Sequence, residues 1–131
     1  MNTSRVLCSI AEHLGGFELN EPVQVTVRAL RSEPSATVQL PGRSLPELAA
    51  ELLAWADTLD NVTATARRPH WPDDEQLHLE VRGDLTDDTT VKVFGGLLNG
   101  PDVPGLGYGC RIELSWARLR AWASLSGEVA A

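Results

Sequence analysis

The residues of this 131-residue chain that could do chemistry are few and scattered. His13, His70 and His78 fall in a predicted helix, loop and strand, without HxxxH or HExxH spacing, so the pattern names no metal site. Cys8 and Cys110 are the only cysteines and lack CxxC spacing; they read as two reduced, partly buried thiols. No nucleophile signature surrounds Cys110, and neither GxSxG nor GxxxxGK[ST] occurs. The run Gly105-x-Gly107-x-Gly109 looks like a phosphate cradle, but a dinucleotide fingerprint needs GxGxxG between a strand and a helix, and here a short strand follows. Asp84, Asp87 and Asp88 lack the ordered spacing of a calcium loop and read as Asx turns. The expectation is no catalytic residue, no metal and no cofactor.

Binding chemistry is better represented. In the loop from Arg67 and Arg68 through His70 to Trp71 and Pro72, two prolines stiffen a chain carrying Trp and Arg, the residue types that most often anchor interfaces. A second candidate is a sheet face. Alternation puts Gln24, Thr26, Arg28, Thr37, Gln39, Thr63, Thr65, Arg67, Gln76, His78, Glu80, Arg82, Thr90 and Lys92 on one side of the strands. Four of these (Arg28, Arg67, Arg82, Lys92) are cations and one, Glu80, is an anion, on a chain of net charge −7. Such a local reversal suits an acidic partner or a phosphate-bearing ligand. The overall acidity opposes binding along a nucleic-acid backbone, and Phe94 alone offers a stacking surface. The acidic residues Asp57, Asp60, Asp73, Asp74, Asp84, Asp87 and Asp88 raise the alternative of nucleic-acid mimicry.

These residues need a scaffold, and its clearest element is the helix expected over 44–59. Ser44 with Glu47 forms a capping box, and Leu45, Leu48, Leu52, Ala56 and Leu59 make one apolar face. A first helix starts at Thr3 or Ser4, carries Val6, Leu7, Ile10, Ala11 and Leu14 on one stripe, and stops at Gly15-Gly16. Period-two alternation predicts strands near 23–28, 36–40, 62–67, 76–82 and 90–94. The segment 95–109 holds six of the 11 glycines and reads as an irregular, mobile loop that could fold over a partner or roof a pocket. A short strand over 111–114 and a helix capped by Ser115 follow, with a tail frayed from Ser126.

Helices between hairpins predict an α+β two-layer sandwich: an antiparallel sheet of five or six strands with three helices packed mainly on one face. The order helix, strand, strand occurs in both 4–42 and 44–83, which suggests an α-β-β duplication. An edge strand near Ala36 or Val91 leaves open a homodimer by sheet extension. The length fits one domain, 1–131, and 43% hydrophobic with 22% charged residues is an ordinary globular balance. No apolar run approaches the roughly 18 residues that span a bilayer, and no signal-peptide core opens the chain, which predicts no membrane association and a cytoplasmic location.

The stretch Leu52 to Ala123, with LLAWADTLDNVTATARRP, EQLHLEVRG, VKVFGG and LSWARLRAWA, resembles small uncharacterised proteins of actinobacteria and their phages or mobile elements. The resemblance implies that genetic setting and transfers no residue role. Together these readings predict a small, cytoplasmic, non-enzymatic protein-interaction or regulatory module, with a small-molecule-binding or enzymatic domain as the alternative.

Overall fold

The computed structural model describes residues 3–19, 21–28, 36–41, 44–69, 76–85, 89–98 and 103–130, with backbone alone for 126–130. The elements are α1 (Thr3–Gly16), β1 (Gln24–Val27), β2 (Ala36–Gln39), α2 (Leu45–Ala56), β3 (Asp60–Arg67), β4 (Gln76–Asp84), β5 (Thr90–Leu98), β6 (Arg111–Glu113) and α3 (Trp116–Ala130). Six strands form one sheet in the order β1-β2-β5-β4-β3-β6. The chain is an α+β two-layer sandwich, but its sheet is mixed: β2 and β5 run parallel, whereas every other pair is antiparallel. β5 slots between the two hairpins, so β2 gains a parallel neighbour that returns only after α2, β3 and β4.

Strand alternation builds the core. Ala36, Val38, Val91, Val93, Leu77, Leu79, Val81, Ala64 and Ala66 all point inward and are buried. α2 closes over them with Leu48, Ala49, Leu52, Trp55 and Ala56. Its start is set by Ser44, whose Oγ accepts from the Glu47 N–H at 3.3 Å, with proline in the first turn. α3 lies along α2 through Leu119 and Trp122, and its Ser115 cap accepts from the Arg118 N–H at 3.1 Å. α1 packs against β1 and the C-terminal end of α2 through Val6, Ile10 and His13.

Several expectations are corrected. The end of α1 is not among them: the helix stops at Gly16, in the glycine pair expected to end it, and the His13 and Phe17 rings meet at 4.7 Å across its last turn. The edges are β1 and β6, so the strands near Ala36 and Val91 are interior and offer no edge for a homodimer. Both cysteines are exposed. The loop reading of 95–109 fails at its start, while 103–109 is irregular as expected but anchored. β5 runs on to Leu98, and Val103 and Leu106 are buried in the core. Farther along, Gly109 donates its N–H to the Arg68 and Pro69 carbonyls and Arg68 donates to the Cys110 carbonyl, which extends the β3–β6 ladder. Positive φ at Gly105 (82°) and Gly109 (73°) shapes these turns.

Two glycines set how closely the layers approach. A Cβ on Gly95 would lie 2.5 Å from Leu48 Cδ1, and one on Gly83 would lie 2.7 Å from Val62 Cγ1, 2.9 Å from Leu59 Cβ and 3.0 Å from the Asp60 carbonyl oxygen. The contacts at Gly83 include backbone and cannot yield by a rotamer change. Gly83→Ala is therefore expected to destabilise by about 1–3 kcal/mol through overpacking. Gly96→Ala, whose Cβ would meet nothing closer than 3.5 Å, is the matched control. Urea unfolding of the two variants checks this, and equal midpoints would refute it.

Candidate functional site: the open sheet face

The strand face away from the helices is organised in rows by register. One row runs Thr26, Thr37, Lys92, Arg82, Thr63 across β1, β2, β5, β4 and β3. The next runs Gln24, Gln39, Phe94, Glu80, Thr65, Glu113, and a third holds Gly96, His78, Arg67 and Arg111. Arg67, Arg82 and Lys92 thus share this face. Arg28 is exposed just past the end of β1, two strands from Lys92.

The central feature is a like-charge pair. Lys92 and Arg82 are directly opposite on β5 and β4, where like charges are destabilising. Lys92 reaches instead to Glu80, Nζ to Oε1 at 3.5 Å, and sits 5.4 Å from the centre of the Phe94 ring. Glu80 is nearly enclosed, with its side chain 12% exposed. Arg82 keeps the less favourable position: its Nε is buried and finds no acceptor among the described residues. A buried guanidinium N–H without an acceptor carries a desolvation cost.

Arg67 is exposed, opposite both His78 on β4 and Arg111 on β6. Arg111 and Glu113 escape the sequence reading because β6 has only three residues, too short to show a period. Phe94 joins the open face because β5 keeps its alternation through Gly95 and Gly96. Arg68 is half-buried and its backbone is bound to Gly109 and Cys110. His70 and Trp71, together with Asp73, Asp74, Asp87 and Asp88, lie outside the described residues. Of the remaining acidic candidates, Asp60 pairs with Asp84 in register, and Asp84 accepts from Asn61 Nδ2 at 3.3 Å and Thr90 Oγ1 at 3.4 Å. Asp57 is the C-cap residue of α2.

On the helix side, a cavity of about 450 Å³ lies between α2, residues 18–19 and the end of β2. Glu18, Glu47 and Glu51 line it with Leu19, Leu40, Ala50, Ala54 and Trp55. It is not beneath the Gly-rich segment, where a pocket was expected. Trp55 is 1% exposed, and its indole N–H has no acceptor among the described residues. Its ring stacks on His13 at 5.4 Å. His13 Nε2 lies 2.7 Å from Thr58 Oγ1, and that hydroxyl donates its proton to the Trp55 carbonyl at 2.7 Å, so Nε2 carries the imidazole proton. Among the described residues, no group of three or more His, Cys, Asp or Glu converges to hold a metal ion, and no helix is long and apolar enough to cross a membrane.

Burial lowers the His13 pKa below its ordinary 6.5, because charging the ring against Trp55 and Phe17 costs solvation. The unfolded chain therefore takes up this proton first. The contribution of neutral His13 is complete above pH 6.5 and is lost as pH falls through the folded value. Unfolding free energy should drop between pH 7.5 and pH 5 in the wild type and drop less in His13→Gln; parallel profiles would contradict the assignment.

Comparison with protein-family models, with curated proteins and with solved structures returned no match.

Proposed function

We propose that this chain is a small, non-enzymatic interaction module that docks an acidic protein segment on the open face of its sheet. The observation that carries the reading is the Arg82–Lys92 pair, two cations held opposite each other with Glu80 drawn to Lys92 and the Arg82 Nε left without an acceptor among the described residues. An anionic group over this pair would relieve the repulsion and pair with the outer guanidinium and ammonium N–H groups. Thr–Thr or opposite-charge neighbours would stabilise a solvated sheet face better than this pair. The resemblance to actinobacterial and mobile-element proteins supports an accessory or regulatory role. The exposed, unpaired Cys8 and Cys110 support a reducing, cytoplasmic setting.

Poly-L-glutamate binding at low salt tests the docking reading. Arg82→Glu should weaken it by about tenfold, the scale of one disrupted charge-assisted contact. Arg120→Glu, an identical charge change on α3, should leave it nearly unaltered. Equal losses would mean that only net charge matters and would reject the site. The cavity beside α2 favours a second reading, a small-molecule-binding domain for an organic cation, because its described lining carries three carboxylates over an apolar floor. Saturation-transfer NMR with agmatine checks it: a signal lost in Glu47→Gln/Glu51→Gln supports the pocket, and none in the wild type removes it.

A further inference from the structure

The charges of the open face are banded, not spread. Along the strand direction the Lys92–Arg82 row is cationic, the next outward-facing row holds Glu80 and Glu113, and the row after that holds Arg67 and Arg111. Successive outward rows are two residues apart, so the two cationic rows are about 13 Å apart along the strands; Lys92–Arg82 lie on β5–β4 and Arg67–Arg111 on β3–β6, two strands over, so the two cation pairs are roughly 16 Å apart on a diagonal that passes Glu80. An extended peptide laid diagonally across the strands spans about 13 Å from i to i+4 with i, i+2 and i+4 projecting to one side, and the long Arg and Lys side chains reach across the difference.

From this match we infer that the face selects an extended acidic segment with carboxylates at i and i+4 and a basic or neutral residue at i+2. The inference rests on the docking reading above and specifies its partner. A carboxylate at i lies over Arg82 and Lys92, the residue at i+2 meets Glu80 or Glu113, and a carboxylate at i+4 lies over Arg67 and Arg111. An acidic residue at i+2 would oppose the anionic band. The bands also argue against a single-stranded nucleic acid, whose unbroken run of phosphates would have to cross Glu80 and Glu113. The partner chemistry is therefore set as much by the two glutamates as by the four cations, because specificity needs a repulsive element as well as an attractive one.

Fluorescence anisotropy at low ionic strength, on the full chain, tests this with two labelled, end-blocked peptides of one composition. GSESKSESG places Glu at the first and third outward positions with Lys between, and GSESESKSG places the two Glu at adjacent outward positions. Wild type should bind the first about fivefold more tightly, the scale of exchanging one opposed for one complementary cross-face pair. Glu80→Gln/Glu113→Gln should reduce that preference while binding both peptides at least as well, and circular dichroism confirms that this variant is folded. Equal affinity of wild type for the two peptides would overturn the banded selection and leave acidic docking standing. Failure of both peptides to bind would overturn both ideas, as would tighter binding of a nine-residue oligothymidylate than of either peptide.

Discussion

Leu48 sits over Gly95 closely enough that no side chain fits between them, and the separation of the molecule into two unlike faces depends on that approach. With α2 pressed onto the sheet, the inward residues of β2, β4 and β5 are all small or aliphatic and fully enclosed. A one-residue slip in any strand would carry Val or Leu to the open side and Thr, Arg or Lys inward. The burial of the core therefore fixes which charges share the outer face. The function proposed for that face is a consequence of helix-to-sheet packing on the other side.

The helices are held by different means. α2 and α3 pack against each other, and α2 also packs on β4 and β5. α1 is attached more lightly, through Val6, Ile10 and the chain from His13 through the Thr58 hydroxyl to the Trp55 carbonyl. That attachment combines ring stacking with an Nε2–H donor that survives protonation, so acid acts on it only through the solvation cost of charging a buried ring. α1 is accordingly the part of the helix layer most sensitive to acid.

Period-two segments were legible from local sequence. Alternation assigns Arg67, Arg82 and Lys92 to one face, because Ala64, Ala66, Leu79, Val81, Val91 and Val93 beside them are apolar and must go inward. Helix α2 was legible too, from Ser44 and its leucines. What local pattern does not encode is long-range pairing. That β5 enters between β2 and β4 depends on partners about 55 residues away on one side, and the mixed sheet follows from it. Gly95 and Gly96 look like breakers until Leu48 is known to need the space. Arg111 and Glu113 depend on a three-residue strand whose place is set by β3. Without them the face reads as a plain basic strip with an excess of three charges, and its alternating bands disappear.

The charge pattern also reconciles an acidic chain with a surface for acidic partners. Lys92 and Arg82 lie within a few ångströms of any group laid on the sheet, whereas Glu47 and Glu51 lie on α2, on the other side of the sheet, where they are coupled to that face only weakly at ordinary ionic strength. Local geometry can then outweigh the net charge of −7. The most direct measurement of this account is a residue-resolved NMR map of the ¹⁵N-labelled chain titrated with poly-L-glutamate. The account predicts shift changes concentrated at Thr63, Arg67, Arg82, Lys92, Phe94 and Arg111. Changes concentrated instead on α2 and α3, with the open face silent, would contradict it.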